Sequence, residues 1–365
     1  MSASPFDEAT RHGPYNPTSP GSSKASHPQT ATGLLPPEHW IQLTEQDDAP
    51  DDTDSTLSDN ASSTASLASS ILQYRTLHGR SYQSERGNTD YWGPIDDLQQ
   101  EAMDINHHVL TLLLGNKLYL APLSSDIQVW RSGGHWNRNR YVHGDEFADM
   151  FPNASVVGTD LAPIQPTWIP PNLEFQIDDC TQEWSFASAS LDYVHIRWLV
   201  GSIVDWTALF KQAYKSLKPG GYVESYEPGS RVESDDGTVR EGSALSQWEK
   251  FFVEGGRKLG RPFTIFEEGI QKAAMREVGF VDIEERDFKN PVGGWPKDPK
   301  QRDIGQYTQA AFEQDAKGTV LHMATSLGWT EREITVFVAH LKRDIRSPKI
   351  HSYYRQKVVW GRKPI

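Results

Sequence analysis

Chemistry-bearing side chains stand at the ends of three short apolar runs. Asp160 closes SVVGTD, Asp178 and Asp179 follow LEFQI, and His195 and Arg197 close LDYVHIR. If the runs are parallel strands, these five side chains gather along one edge of a sheet, where open α/β folds bind ligands. A carboxylate ending the second strand can accept two hydrogen bonds from a ribose diol, with Leu161 next to it at the rim. A carboxylate after the third strand can accept from an adenine amine, while the next backbone amide meets a ring nitrogen. Trp184 is close enough in sequence to cover the adenine face; an acidic loop with a half-buried tryptophan is the plainer alternative. His195 can act as general base for a hydroxyl or amine acceptor, or sit as a satisfied structural histidine. Arg197 can bind an anion or form an ion pair within the fold. Cys180 has no activating neighbours and reads as a small packing residue.

The elements that must position these residues are visible around them. Ser155–Asp160, Leu173–Ile177, Leu191–Ile196 and Tyr222–Tyr226 are short β-rich runs separated by turn or helix signals, the alternation of a doubly wound parallel sheet. Trp206, Leu209, Phe210, Ala213 and Leu217 mark one helix face, which Lys218-Pro219-Gly220-Gly221 terminates. Before the sheet, Leu98, Ala102, Ile105, Val109, Leu110 and Leu113 predict a helix with one apolar face, ended by Gly115-Asn116. This helix covers a sheet face or contributes to a substrate mouth. Beyond Glu227 a helix around Leu245–Phe252, a strand over Phe280–Arg286, a helical stretch over Asp303–Arg343 and a last strand in KVVWGRKPI are expected.

Composition bounds the rest. Residues 1–88 are rich in Ser, Thr, Pro and Asp and bury too little apolar area to offset their ordering entropy, so they read as a disordered acidic tail. Residues 89–365 then form one α/β domain with a helical insertion at about 299–345. The formal charge of -13 in 365 residues argues against direct nucleic-acid binding. No apolar run reaches the ~18 residues of a membrane span, and the N-terminus has no signal-peptide core. A single cysteine fits a reducing compartment. An intracellular protein, in cytoplasm or nucleus, is the expectation. No cluster of metal ligands stands out.

Taken together, HGRSYQS, NKLYLAPL, FADMFPNASVVGTDLAPIQPTWIPPNLEFQIDD, GSIVDWTALFKQAYKSLKPGGYVE and the terminal VVWGRKP resemble the LaeA-like family of fungal S-adenosylmethionine-dependent methyltransferases. The resemblance covers about residues 75–365, and DLAPIQPTW followed by PPN is its most specific part. It implies the class I methyltransferase fold, a Rossmann-like sheet of seven strands with the last reversed. It further implies S-adenosyl-L-methionine as methyl donor, a small metabolite or a protein as acceptor, and links to fungal secondary metabolism or development, sometimes through regulatory protein partners. A hydride-transferring Rossmann enzyme is a distant alternative. On this resemblance Gly133, Gly134, Asp160, Leu161, Asp178, Asp179 and Arg197 are the donor-binding residues and His195 the candidate catalytic base.

One stretch departs from the family. Where a turn of the type Val-Gly-Thr-Gly-Thr-Gly belongs, IQVWRSGGHWNRNRYVHGD keeps only Gly133-Gly134, followed by His135, Trp136, Asn137, Arg138, Asn139 and Arg140. Glycines there let the backbone approach the methionine moiety and open the helix that binds its carboxylate. Three explanations stand: a catalytically impaired scaffold, an unusual binding loop, or a misread frame. The genetic code bears on the third. Read one nucleotide later, the codons of Trp136 and Asn137 necessarily give glycine, and those of Gly133–Asn139 can spell Val-Gly-Thr-Gly-Thr-Gly-Ile. Two compensating frame changes therefore account for the stretch, and resequencing the locus and transcript decides it. As written, the chain is expected to bind donor poorly.

Overall fold

The structure, a computed structural model, describes residues 33–46, 74–83, 91–125, 127, 129–134, 142–161 and 169–365; of residues 46, 74, 129–134, 142 and 143 it describes the backbone alone. In chain order these form α1 (Pro37–Gln46), β1 (Tyr74–Leu77), β2 (Arg80–Gln83), α2 (Asp97–Leu113), β3 (Val129–Gly134) and α3 (Val142–Met150). Then follow β4 (Ser155–Asp160), β5 (Leu173–Ile177), β6 (Leu191–Arg197), α4 (Trp206–Ser216), β7 (Leu217–Glu233), α5 (Ala244–Leu259) and α6 (Ile270–Val278). The last are β8 (Val281–Pro291), α7 (Pro299–Ser326), α8 (Glu331–Arg346) and β9 (Tyr353–Arg362).

Seven strands make one sheet in the order β5-β4-β3-β6-β7-β9-β8. The first five are parallel to their neighbours, and β9 runs antiparallel to both β7 and β8. This is the class I methyltransferase topology, with its reversed last strand. Strand order turns back at the β3–β6 boundary, so a crevice opens at the carboxyl ends of those strands.

Alternation along the strands divides the core between the two faces of the sheet. Val194, Ile196, Val223 and Val359 join the cluster built with α4, α5, α7 and α8. Tyr193, Tyr226, Val358 and Trp360 join the cluster built with α2 and α3. Helix ends follow local chemistry. Asp96 caps α2 by accepting from the Gln99 amide, and Thr330 with Glu333 forms a capping box on α8. Between β8 and β9 the chain forms the two helices α7 and α8. Among the described residues no helix is long and apolar enough to cross a membrane.

The stretch 1–88 is not uniformly without structure, which corrects the expectation of a wholly disordered tail. Helix α1 packs on α8: Trp40, 1% exposed, lies with its ring centroid 5.1 Å from that of Phe337. The hairpin β1–β2 docks on α2 and α7. Arg80 donates to both carboxylate oxygens of Asp96 (2.6 and 2.6 Å) and of Asp315 (2.6 and 2.7 Å). Composition missed these elements because a few well-placed side chains, rather than an apolar average, tie them down. The remainder of 1–88 lies outside the described residues.

Candidate functional site

Asp160 ends β4, 6% exposed, and its carbonyl accepts from the Asp178 amide at 2.9 Å, so the acids closing β4 and β5 stand side by side. Burial, with the Asp160 carboxylate adding to it, pushes the Tyr91 hydroxyl above its ordinary pKa, keeping it protonated near that acid. The carbonyl of Leu161 accepts from Gln83 Nε2 at 2.8 Å, which ties the hairpin to the rim of this edge. A buried carboxylate at the end of the second core strand suits a ribose diol, and Asp178 beside it suits an adenine amine. Asp179 has a different task. Its Oδ1 accepts from both the amide and the hydroxyl of Thr181 (2.9 and 2.7 Å), closing a local turn. Trp184 is 5% exposed and donates from Nε1 to the Cys180 carbonyl at 2.9 Å, so it is a core residue and not an adenine cover.

Gly133 and Gly134 are strand, not turn, as the sequence had suggested. They are the last two residues of β3, with Gly133 opposite Thr159 and Ile196 and Gly134 opposite Arg197. The positions that depart from the glycine motif, 135–141, lie outside the described residues.

His195 is not where a base would meet an acceptor. It is 0% exposed, and its Nδ1 lies 2.9 Å from the Tyr193 hydroxyl and 4.0 Å from Glu224 Oε1. Burial, reinforced by Arg197, holds its pKa well below the ordinary imidazole value, so it stays neutral. Position along a strand told nothing about which face His195 occupies, and that face is packed by α2 and α3. Arg197 sits on the same face. Its Nη2 is 3.1 Å from His107 Nδ1, and His107 Nε2 is 3.6 Å from Glu146 on α3. Burial lowers the Arg197 pKa to about 10, which leaves it a cation at neutral pH.

The loop after β6 is held by a residue that sequence reasoning passed over. Glu227, on β7 and fully buried, accepts from the amides of Leu199 (3.1 and 2.9 Å) and Val200 (2.9 Å). Trp198 enters this turn at φ +60°, a left-handed conformation that costs a non-glycine residue roughly 1 kcal/mol or more. Its amide donates to the Tyr226 carbonyl at 3.1 Å. Gly201 follows at φ +73°, and a Cβ there would run into the Phe263 ring. Glutamates in a run that otherwise reads as a buried central strand, Glu224 and Glu227 in YVESYE, were the available signal. For left-handed Trp198 there was none.

This turn forms one wall of a cavity of about 870 Å³, its open mouth included. Trp198 and Val200 line it from the end of β6, and Pro228, Gly229 and Ser230 from β7. Helix α2 contributes Gln99, Ala102, Met103 and Asn106; α5 contributes Trp248 and Phe252; α7 contributes Thr308, Ala311, Phe312, Ala316 and Thr319. Trp92, Phe263 and Tyr354 complete the lining, and the Trp92 indole donates to the Val200 carbonyl at 3.0 Å. Helix α2 thus covers one sheet face and also lines this cavity. The cavity adjoins the carboxyl ends of β6 and β7, while Asp160 ends β4 across β3. The fold therefore carries an acidic edge and an apolar pocket at the same end of one sheet.

Known proteins place the chain in a family. A methyltransferase-domain family matches residues 143–285, opening just beyond the stretch that departs from the glycine motif. Methyltransferase pytC of Aspergillus terreus is 33% identical over 322 residues, 86% of this chain and 95% of its own length. Probable methyltransferase tdiE of Emericella nidulans is 30% identical over 273 residues, 73% of this chain and 83% of its own. Secondary metabolism regulator LAE1 of Cochliobolus heterostrophus is 29% identical over 298 residues, 79% and 94% of the two chains. With the sheet order, its reversed last strand and a relative matched over nearly its whole length, the chain belongs to the LaeA-like fungal family of S-adenosylmethionine-dependent class I methyltransferases.

Proposed function

We propose that the donor lies across the carboxyl ends of β3, β4 and β5, its ribose on Asp160 and its adenine beside Asp178, and that the acceptor is a small molecule held in the adjoining cavity. The single observation that carries this reading is the buried Asp160 carboxylate, set one strand from a pocket enclosed by α2, α5 and α7. A pocket closed by helices suits a small metabolite better than a protein side chain on an extended segment. Relatives named as methyltransferases, and others named as regulators of secondary metabolism, support a role in fungal secondary metabolism.

When bound, S-adenosylmethionine supplies a methyl group on cationic sulfur, electrophilic without further activation. The chain's own part is orientation and exclusion of water. Glu227 fixes the turn that presents Trp198, and the aromatic walls keep the pocket dry. Tyr354 is the one titratable side chain among the described lining residues, and burial pushes its hydroxyl above the ordinary range, so it keeps its proton. The methylated atom must then bring its own lone pair, and any proton it sheds passes to solvent.

Replacing Asp160 with asparagine tests the donor half. Asp160→Asn should weaken S-adenosylhomocysteine binding by about 1.5–3 kcal/mol, the range for hydrogen bonds to a charged group. Calorimetry on a folded variant with unchanged affinity would remove Asp160 from the site. A second reading, a scaffold that binds a regulatory partner without using donor, is favoured by the residues standing in place of the glycine motif from His135 to Arg140.

A further inference from the structure

We propose that the acceptor is a neutral, largely aromatic molecule carrying a hydrogen-bond acceptor toward one end and an N–H or O–H donor toward the other; this rests on reading the cavity as the acceptor site. Charge is the first discriminator. Among the described residues no Asp, Glu, Lys, Arg or His lines the pocket. An ion entering it would shed its hydration without a counter-charge to replace it.

Shape is the second. The Trp92 ring stands edge-on to Phe252 and Phe263, with centroids 5.6 and 5.4 Å away, and Trp248 lies 5.1 Å from Phe252. Such walls pack flat rings with offset or edge contacts.

Unpartnered polar atoms are the third. Gln99 and Asn106 are each 7% exposed and line the pocket, yet Gln99 Oε1 and Asn106 Nδ2 have no hydrogen-bond partner among the described residues. Ser230 Oγ, on the β7 side of the pocket, is in the same state. An unmet buried donor or acceptor costs roughly 1–3 kcal/mol, so a ligand that satisfies these atoms is selected for. Gln99 and Asn106 are seven residues apart on α2, two turns, or about 10 Å along the axis. One presents an acceptor and the other a donor. The ligand therefore offers the complementary groups at separate points, not as one compact polar head.

A matched set of three benzophenones and their parent hydrocarbon tests this directly. The probes are 4-aminobenzophenone (carbonyl and amine), diphenylmethane (neither group), 4-benzoylbenzoate (anion) and (4-benzoylbenzyl)trimethylammonium (cation). Affinities come from ligand-observed NMR on the full chain, and photocrosslinking of the benzophenones locates them by mass spectrometry. The neutral amino ketone should bind about tenfold or more tighter than either ion, the penalty for an uncompensated charge. Asn106→Leu and Gln99→Leu should each weaken it about three- to tenfold and leave diphenylmethane unchanged, the loss of one neutral hydrogen bond. Ala311→Phe, which fills the pocket from α7, should abolish binding of all four. Ions that bind as tightly as the amino ketone overturn the proposal, as do leucine variants that fold and bind it normally. If circular dichroism shows that the leucine variants do not fold, the order of the four affinities on the unaltered chain and the response to Ser230→Ala decide. Asp160→Asn leaves probe binding unchanged if the two halves of the site are read correctly. Lost probe selectivity with intact S-adenosylhomocysteine binding would sink the acceptor class alone, whereas unaltered donor affinity in Asp160→Asn would sink the donor reading alone.

Discussion

Trp136, Arg138 and their neighbours occupy positions at which the family uses glycine to bring backbone close to the donor. Substituting Gly133→Val, His135→Thr, Trp136→Gly, Asn137→Thr, Arg138→Gly and Asn139→Ile together restores what the neighbouring reading frame can encode. Donor affinity should rise by about tenfold or more, the worth of one or two regained backbone hydrogen bonds. Calorimetry with S-adenosylhomocysteine on both proteins checks it, and equal micromolar binding would show that the present residues already make a working turn. The place of Asp160 at the end of a buried strand was legible from sequence, because SVVGTD is an apolar run closed by a carboxylate. His195 was misjudged because sequence places a residue on a strand without saying which neighbours cover its face. Gln99 and Asn106 had a signal, polar residues at helical spacing among Ala102, Val109 and Leu113, that was read only for its apolar members.

At the scale of elements, the hairpin β1–β2 ties the end of β4 to α2 and α7. Gln83 reaches the carbonyl after Asp160, and Arg80 is clamped between Asp96 and Asp315, where α7 leaves helical geometry (φ −144°, ψ 46°). Gly318 is required beside this clamp, since a Cβ there would strike the Arg80 guanidinium and the Asp315 carboxylate. Arg80→Met should cost about 3–5 kcal/mol in urea unfolding, because two partly or fully buried carboxylates lose their counter-charge. A change under about 1 kcal/mol, the value of an exposed pair, would mean that solvent replaces the guanidinium. The alternating sheet was readable because strands buried on both faces give apolar runs with sharp ends. The hairpin was not, although His78-Gly79 (φ +48° and +76°) is a two-residue turn between short β runs, a pattern that signals hairpins. Its Ser- and Thr-rich surroundings concealed it. Beyond Pro37, helix α1 offered only Trp40, Ile41 and Leu43 as apolar residues in ten, too little periodicity to register.

For the molecule as a whole, two fully buried glutamates on one strand make stability depend on pH. Burial raises Glu224 to about 7 and Glu227 to about 8, despite backbone amides donated to each, while Arg197 pulls Glu227 back only in part. Above about pH 4.5 the unfolded chain has lost these protons and the folded chain keeps them. Stability is therefore fully present below that pH and declines as pH rises toward 7 for Glu224 and 8 for Glu227, by up to about 1.4 kcal/mol per pH unit per group. Urea midpoints at pH 6.5, 7.5 and 8.5 should fall in that order, above the range in which the buried neutral His195 opposes the trend, and Glu227→Gln should flatten the upper part of it. A midpoint that climbs with pH would contradict the assignment. The docking of α1 bears on how the chain reaches this state at all. His340 Nε2 lies 3.1 Å from the Trp40 carbonyl, a contact that joins residues 300 apart. Closing so long a loop is entropically slow and pays back only when α8 is already in place. During synthesis α1 therefore emerges long before α8, and the Trp40 indole stays uncovered until that helix has formed to receive it.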